Sequence, residues 1–238
     1  LIFKILRRGE HEGSGEADLA LRYDLTVPLA RVIAQYQQQL PKFFKRYQIQ
    51  PVWRADRPAR GRFREFYQCD IDAMGSTSPT VEAELLSAVS EVLGRLRFDD
   101  FVIRLNHRRA LTALLDCAGI PGTLQGEALI ALDKLDKLGP DGVEKELRTR
   151  GVDAAAAAAS LRCFAGVGSD RADVPAELAR LRALTAGHEA GAAALDELEA
   201  IVALIEGTPA RSRIRIDPSL ARGLSYYTGT IMEVGVPD

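Results

Sequence analysis

The stretch that decides the fold is YQIQPVWRADRPARGRFREFYQCDIDAMG, residues 47–75. Residues 47–54 predict one strand and residues 62–73 predict a longer second strand, because polar and apolar side chains alternate along them. Residues 57–61 contain proline and glycine, which favour a turn. The sequence therefore predicts an antiparallel hairpin whose connecting loop is rich in arginine.

Alternation along the second strand places two different sets of side chains on its two faces. One face has cations at one end, a ring in the middle, and an amide with two carboxylates at the other end: Arg62, Arg64, Phe66, Gln68, Asp70 and Asp72. The other face carries Phe63, Glu65, Tyr67, Cys69 and Ile71. The ordered face could hold a ligand with phosphate at the cationic end, a flat base over the ring, and an ammonium or ring N–H at the acidic end. A solvated sheet edge would give a similar alternation, so the pattern alone leaves both interpretations open.

Two further segments combine residues with binding chemistry. In LRYDLTVP, residues 21–28, Asp24 and Thr26 would point the same way on an extended segment and could accept hydrogen bonds from an ammonium group. Asp24 could equally cap a helix that follows Pro28. In ARGLSYYTGT, residues 221–230, an arginine is followed by two glycines that bracket paired tyrosines. This arrangement suits either close approach to a phosphate or a structural turn with packed tyrosines.

Composition limits the class of protein. The 238 residues are 47% hydrophobic and 27% charged, which excludes wholesale disorder and a disulfide scaffold. No apolar run approaches the roughly 18 residues of a membrane span, and residues 1–8 predict a strand and not a secretory signal. The three cysteines lie far apart and form no CxxC, which favours a reducing cytoplasm and predicts no cysteine metal site. A net charge of -2 means that any nucleic-acid binding must come from a local basic patch.

The composition and hydrophobic pattern of the chain change at two points. Residues 78–96 predict a helix with Ser78 as its cap and Pro79 in its first turn. Residues 108–207 are rich in Ala, Leu, Asp, Glu and Arg and predict a bundle of helices. An apolar stripe in that stretch predicts core positions at Leu178, Leu181, Leu184, Leu195, Leu198, Ile201, Val202 and Ile205. Strands return at residues 213–217 and 230–234.

This order of strands, helices and strands predicts an α+β fold interrupted by a helical insertion. The predicted parts are residues 1–107, residues 108–207 and residues 208–238, of which the middle part is the insertion.

At these segments the sequence resembles the histidyl-tRNA synthetases, which are class II aminoacyl-tRNA synthetases. Arg54 with residues 61–72 resembles class II motif 2 in its histidine-specific form. Residues 21–28 resemble the family's amino-acid-binding segment in its eukaryote-like version, and residues 222–227 resemble its histidine signature. Motif 2 alone would indicate only class II, but the three motifs in this order are specific for the family.

The resemblance implies a class II antiparallel sheet flanked by helices, with a helical insertion. It also implies activation of histidine with ATP to histidyl-adenylate and transfer to tRNA(His). Mg2+ would accompany ATP, and no metal held by the protein alone is expected. A cytoplasmic homodimer is expected, with no membrane association.

On the ATP side, the resemblance implies that Arg54 and Arg222 contact the α-phosphate from different directions, as the catalytic pair. Arg62 would lie near the terminal phosphate and Phe66 would stack on adenine. Asp56 stands where the family usually has glutamate near the adenine amino group, which leaves that contact open.

On the histidine side, the resemblance implies that Asp24, Thr26 and Gln68 surround the α-amino group. Asp72 and Tyr227 would read the imidazole, and Tyr226 is included in the same site. Ser225 departs from the aspartate that the family commonly has beside the paired tyrosines. The arginines of the hairpin loop, Arg57 and Arg60 among them, are predicted to approach the acceptor end of the tRNA, although a solvated charged loop would have the same sequence.

The resemblance further implies a motif 1 element before Leu1, and a motif 3 region and an anticodon-binding domain after Asp238. We therefore expect the 238 residues to be the interior of a longer catalytic region. Two alternatives stay open: a synthetase-like regulatory subunit of ATP phosphoribosyltransferase, and a pseudo-synthetase domain that senses uncharged tRNA. Retention of Arg54, Arg62 and Phe66 argues for the synthetase, whereas Ser225 argues mildly for the regulatory subunit.

Overall fold

The computed structural model describes residues 2–7, 15–164, 173–221 and 227–236, without the side chain of Asp136. The chain divides into two compact units, Leu1–Thr77 and Ser78–Asp238. No helix among the described residues is both long and apolar enough to cross a membrane. Each unit is considered by itself below.

The first unit is built around a long hairpin. In chain order its elements are β1 (Lys4–Ile5), β2 (Leu19–Ala20), α1 (Thr26–Tyr36), a 3-10 turn (Gln37–Gln39), β3 (Phe44–Trp53) and β4 (Glu65–Met74). β1 pairs with β2 and β3 pairs with β4, both antiparallel. The strand predicted for residues 1–8 is thus a two-residue strand among the described positions. Among the described residues of this unit, the buried apolar side chains are Leu25, Leu29 and Val52.

The hairpin is confirmed, but its strands are displaced from the predicted limits. β3 begins at Phe44, three residues earlier than predicted, and β4 begins at Glu65, three residues later. The reason is the tight turn at the tip, where the Arg62 N–H donates to the Ala59 carbonyl at 2.9 Å. Gly61 has φ +73°, which fits the third position of a type II turn. Arg62 and Arg64 therefore lie in the loop and not on the strand, which corrects the predicted face.

The segment around Asp24 is helical sooner than predicted. Thr26 is the first residue of α1, so Pro28 lies within the first turn, where proline is tolerated. The Val27 N–H donates to Asp24 Oδ1 at 3.0 Å. The expectation of an extended Asp24–Thr26 pair is wrong. The N-cap residue is Leu25, and Asp24, which precedes it, accepts from a backbone N–H of the first turn.

The second unit is mainly helical and carries one small sheet. Its elements are α2 (Thr80–Arg95), β5 (Val102–His107), α3 (Arg108–Cys117), α4 (Gly122–Leu132), α5 (Leu135–Thr149), α6 (Ala154–Phe164), α7 (Val174–Leu184), α8 (Glu189–Leu204), a 3-10 turn (Arg211–Arg213), β6 (Ile214–Ile216) and β7 (Thr230–Gly235). The N-cap of α2 is Pro79 and not the predicted Ser78, whose hydroxyl instead accepts from the Thr80 N–H at 3.3 Å.

The sheet of this unit has the order β6, β5, β7. β5 pairs antiparallel with β7 but parallel with β6. The α+β class is confirmed, and the sheet is mixed where an antiparallel sheet was expected. A parallel pair needs a long crossover connection, and the helices α3 to α8 supply it between β5 and β6.

The predicted helical stretch packs in the same unit as this sheet. All regular elements among its described residues are helices. Six residues of the predicted apolar stripe are buried, and the other two, Leu184 and Val202, pack against the same core. The assignment of residues 108–207 as an insertion between two parts of one domain stays a prediction.

Candidate active site

A cavity lies at the turn end of the hairpin. It has a volume of about 300 Å³ and is lined by Arg54, Asp56, Gly61, Arg62, Phe63 and Phe66. Four of these are the residues predicted to bind ATP: Arg54, Asp56, Arg62 and Phe66. The fold brings them together because Arg54 directly follows β3, Phe66 lies near the start of β4, and Arg62 lies in the turn between the strands. The cavity offers two guanidinium groups and two aromatic rings to a ligand, which suits an aromatic base that carries phosphate.

Arg54 is held in place by two rings and a carbonyl group. Its guanidinium carbon lies 4.6 Å from the centre of the Tyr23 ring and 5.1 Å from that of Phe66. Its Nε donates to the Tyr23 carbonyl at 3.2 Å. Cation–π contacts of this kind orient a guanidinium without neutralising its charge. Arg54 therefore presents a full positive charge in a fixed direction.

Arg64 shapes the loop. Its Nε donates to the backbone carbonyl of Asp56 at 3.2 Å, and its guanidinium lies 6.0 Å from the Phe3 ring. It does not line the cavity, although the sequence placed it on the same face as Phe66. The backbone bond leaves the Asp56 carboxylate at the cavity.

Further along the hairpin, one sheet face is covered with polar side chains from both strands. We call this set the polar face; it comprises Arg46, Gln48 and Gln50 of β3 and Gln68, Asp70 and Asp72 of β4. Arg46 lies opposite Asp72, Gln48 opposite Asp70, and Gln50 opposite Gln68. The other hairpin face exposes Tyr47, Ile49, Tyr67 and Ile71.

Hydrogen bonds join the side chains of the polar face into two groups. Arg46 Nε pairs with Asp72 Oδ2 at 2.8 Å, and its Nη1 donates to the Gln48 side chain. Gln48 Nε2 donates to Gln50 Oε1 at 3.1 Å. On β4, Gln68 Nε2 donates to Asp70 Oδ1 at 3.3 Å. The predicted histidine-side residues Gln68 and Asp72 thus lie on the same face but in separate hydrogen-bonded groups.

The electrostatics of this surface favour a cationic ligand. Burial raises the pKa of Asp70 above its ordinary value, and the charges of Asp72 and Asp24 raise it further, while Arg46 opposes them. The carboxylates of Asp24, Asp70 and Asp72 therefore repel one another across the polar face and the start of α1. A ligand ammonium would relieve this repulsion.

One buried acceptor of the polar face lacks a donor. Gln68 Oε1 has no hydrogen-bond partner among the described residues. Because Gln68 Nε2 is engaged by Asp70, the carbonyl end of the amide is the end left to a ligand. A buried acceptor without a donor costs about 1–3 kcal/mol, so an N–H donor at this point would be stabilised.

The remaining predicted site residues are placed differently. Thr26 lies exposed at the start of α1, and Asp24 is half-buried. Tyr227 belongs to the second unit, just before β7, and is 36% exposed. Arg222, Ser225 and Tyr226 lie outside the described residues.

The segment that leads to Arg222 is anchored in the second unit. Asp217 is buried, and its Oδ2 pairs with Arg104 Nε of β5 at 2.6 Å. Its other oxygen accepts from the Ser219 N–H at 3.0 Å. Asn106 of β5 donates to the carbonyls of Pro218 and Leu220. Residues 217–221 are thereby fixed to β5 directly before the predicted histidine signature.

Sequence reasoning missed Arg46, Gln48 and Gln50 as site residues. They recur at every second position, which is the spacing of one strand face. The predicted strand began at residue 47 and therefore excluded Arg46. Extending the strand outward and pairing it with its neighbour would have placed all three beside the acidic end of the site.

Comparisons with known proteins identify relatives of the chain. The sequence model of the family described as histidyl-tRNA synthetase matches residues 11–238. A histidine–tRNA ligase of Gloeobacter violaceus is 46% identical over 229 residues, covering 90% of this chain and 48% of the relative. The crystal structure of histidyl-tRNA synthetase from Nostoc sp. PCC 7120 superposes with a TM-score of 0.83 at 32% identity, covering 99% of this chain and 52% of that one.

A more distant structure shares the fold. An ATP phosphoribosyltransferase regulatory subunit/histidyl-tRNA synthetase from Bacillus halodurans gives a TM-score of 0.79 at 21% identity, covering 98% of this chain and 57% of that one. The chain spans about half the length of the curated relatives it matches.

Proposed function

Because the chain belongs to the histidyl-tRNA synthetase family, we propose that the protein activates histidine with ATP and transfers it to tRNA(His). The observation that supports this proposal is the order of side-chain types along one hairpin. A cavity with two arginines and two aromatic rings lies at the turn, and an acidic face with a free amide acceptor lies further along β4. Phe66 and Asp72 are six residues apart, or about 20 Å at roughly 3.3 Å per strand residue, which is long enough to separate a base from an amino-acid side chain.

In the proposed first step the carboxylate of histidine attacks the α-phosphorus of ATP. An O–P bond forms, the bond to the β-phosphate oxygen breaks, and pyrophosphate leaves. No enzyme nucleophile is required, so the protein contributes orientation and charge neutralisation. Arg54 is preorganised for this role because its ring contacts fix it before substrate arrives. In the second step a terminal hydroxyl of tRNA attacks the histidyl carbonyl and AMP leaves.

We assign the substrate contacts as follows. Arg54, Asp56, Arg62 and Phe66 bind ATP, with Arg222 as a second cation at the α-phosphate. Asp24, Gln68 and Thr26 surround the α-amino group of histidine. Asp72, Tyr226 and Tyr227 contact the imidazole ring of histidine. The pairing of Asp24 Oδ1 with the Val27 N–H leaves its second oxygen for the ammonium.

Mg2+ is proposed to enter with the nucleotide. Among the described residues no three His, Cys, Asp or Glu side chains are grouped to hold a metal, and Asp56 is the acidic residue that lines the cavity. Mg2+ in such sites usually keeps water and phosphate oxygens and adds one or two carboxylates. The residues present fit that mode, with Asp56 as the available carboxylate, and the ion would neutralise phosphate charge.

The regulatory-subunit alternative would keep the polar face and lose ATP chemistry. This alternative is considered because the chain shares its fold with the Bacillus halodurans protein. The cavity with Arg54, Asp56, Arg62 and Phe66 argues against it, because a subunit without ATP chemistry has no use for this combination. The same cavity argues against a pseudo-synthetase that only senses tRNA.

ATP–pyrophosphate exchange with the complete gene product tests the proposal. We expect exchange that depends on histidine and that falls by at least about a hundredfold in Arg54→Gln, as for loss of an oriented charge at the reacting centre. Arg95→Gln, which alters a 79% exposed arginine of α2, is the matched control and should behave as wild type. Histidine binding without any exchange would select the regulatory subunit, and tRNA binding without either would select the sensor.

We also propose that the protein is a cytoplasmic homodimer. Family membership supports dimerisation, and the three separated thiols support a reducing compartment. Sedimentation of the complete gene product at micromolar concentration should give a dimer, and a monomer would contradict this part of the proposal.

A further inference from the structure

We propose that Arg46 is a positioning residue for histidine, which holds Asp72 and the backbone beside Asp24 in one arrangement. The inference rests on the proposed function and deepens it. Arg46 was not among the sequence-predicted site residues, and its role follows from its contacts.

The guanidinium of Arg46 connects three parts of the first unit. Its Nε pairs with Asp72 Oδ2 of β4 at 2.8 Å. Its Nη2 donates to the Leu25 carbonyl at 2.9 Å, in the segment between β2 and α1. Its Nη1 donates to Gln48 on its own strand. One planar group therefore fixes the distance between the strand that carries Asp72 and the segment that carries Asp24 and Thr26.

The surroundings make this connection firm. The side chains of Arg46 and Asp72 are 16% and 22% exposed, so their pairing is largely shielded from water. Leu25, whose carbonyl accepts the second bond, is completely buried. The anchored backbone cannot shift without disturbing either the core or the guanidinium. Asp24 and Thr26 flank Leu25 directly in the chain, so their positions depend on the same bond.

The pairing also selects the oxygen that Asp72 can offer. Within the described part of the chain, Asp72 bonds through Oδ2, which leaves Oδ1 to accept a hydrogen bond from a ligand. Arg46 in addition supplies the positive charge that opposes the mutual repulsion of Asp24, Asp70 and Asp72. Without it the carboxylates would be expected to move apart.

We expect that Arg46→Lys does not preserve the positioning role of Arg46, although it keeps the positive charge. A guanidinium offers five N–H donors in a rigid fork, whereas an ammonium is a compact point charge on a flexible stem. Lysine could pair with Asp72 but would not hold Leu25 and Gln48 in the same geometry. A comparison of Arg46→Lys with Arg46→Met therefore separates geometry from charge.

The test measures equilibrium binding of L-histidine and of ATP, separately, to the complete gene product by calorimetry. For Arg46→Lys we expect the Kd for histidine to rise about tenfold, the lower end of the cost of losing hydrogen bonds to charged groups, with the Kd for ATP within about twofold of wild type. Arg46→Met should raise the histidine Kd further. Lys45→Met is the matched control, because Lys45 is the neighbouring exposed cation on β3 and should leave both constants unchanged.

Several outcomes would overturn the inference. Wild-type histidine affinity in both Arg46 variants would do so, as would equal losses of histidine and ATP affinity, which indicate a general structural role. If Arg46→Met fails to fold by circular dichroism, the lysine variant still decides. Failure of the proposed function appears differently, as wild-type protein that binds histidine but supports no exchange; the effect of Arg46 on histidine affinity would then still hold. A wild-type protein that binds no histidine would reject both.

Discussion

At the scale of single residues, Asp72 has two partners in the proposed mechanism. Its Oδ2 pairs with Arg46, and its other oxygen is assigned to an imidazole N–H. In Asp72→Asn the charged acceptor becomes a neutral amide whose NH2 end presents donors. We expect a loss of about 1.5–3 kcal/mol, or roughly ten- to a hundredfold in the specificity constant for histidine. The ATP dependence should change little, because the cavity at the turn is about 20 Å away along the strand.

Pyrophosphate exchange at varied histidine and varied ATP measures this effect. Glu65→Gln is the matched control, since it makes the same chemical change on the opposite, exposed face of β4. An effect confined to ATP, or no effect, would remove Asp72 from the histidine site.

Asp70 illustrates a conflict between stability and binding. Its pKa is raised by burial and by the neighbouring carboxylates, so the folded protein holds its proton more tightly than the unfolded chain does. Its contribution to stability is therefore present below its ordinary pKa and is lost as the pH rises through the raised value. At neutral pH the charged carboxylate opposes folding.

Asp70→Asn should consequently melt at a higher temperature than wild type at pH 7. The gain should shrink as the pH falls and disappear well below pH 3.8, the ordinary value for aspartate, because there the wild-type carboxyl is protonated in both the folded and the unfolded state. Asparagine can still accept from Gln68, but the acidic face loses a charge, so histidine should bind more weakly. Thermal melts at both pH values test the first claim, and a lower melting temperature at pH 7 would contradict it.

At the scale of elements, the hairpin shows what sequence can and cannot supply. Period-two alternation predicted both strands and the face that carries Phe66, Gln68 and Asp72. The register could not be predicted because it depends on where the turn closes. The turn at residues 59–62 moved Arg62 and Arg64 off the strand. It also set Arg46 opposite Asp72.

Other elements were missed for different physical reasons. β5 lies in the middle of its sheet and is largely buried, so its sequence VIRLNH shows no clean alternation between an apolar and a polar face. In residues 21–28, a helix was expected only after Pro28, although proline is also tolerated in the first turn of a helix. The helices of residues 108–207 were predictable because long amphipathic and alanine-rich segments have strong signals.

The hairpin loop supports a prediction about tRNA. Arg57 and Arg60 are exposed beside the cavity, and the Gly61 turn fixes their position. If they contact phosphates of the acceptor end, replacing both with glutamine should raise KM for tRNA and leave pyrophosphate exchange unchanged. The slope of log affinity against log salt should become shallower by about one for each lost contact.

Aminoacylation at several salt concentrations tests this, with Arg95→Gln as the control for loss of an exposed cation. Unchanged kinetics and an unchanged salt slope would show that the loop is solvated and lies outside the tRNA interface.

At the scale of the whole molecule, the two units differ in how their polar groups are used. In the first unit the polar face is half-exposed and available to ligands. In the second unit, one buried polar residue joins secondary-structure elements: His107 is completely buried at the junction of β5 and α3. Its Nδ1 accepts from the Arg109 N–H at 3.1 Å, and its Nε2 lies 2.9 Å from Glu197 of α8. The imidazole of His107 thus links β5 to α3 and α8.

This buried histidine should make the stability of the protein sensitive to mild acid. Burial lowers the pKa of His107 below its ordinary 6.5, although Glu197 partly opposes the shift. The unfolded chain therefore takes up the proton first as the pH falls. Stability is lost from about pH 6.5 downward and stops falling below the folded-state pKa, with a limiting slope of about 1.4 kcal/mol per pH unit for one proton.

Two variants with opposite expectations make this a decisive measurement. His107→Gln cannot take the proton, so its denaturant midpoint should fall less than that of wild type between pH 7 and pH 5. Glu197→Gln removes the largest of the contributions that raise the pKa of His107, so its midpoint should fall further over the same range. The lowered pKa of Glu197 itself acts below its ordinary value of 4.5, outside this window. Parallel pH profiles for wild type and both variants would show that protonation of His107 does not control acid stability, because a purely packing role would shift all midpoints equally at every pH.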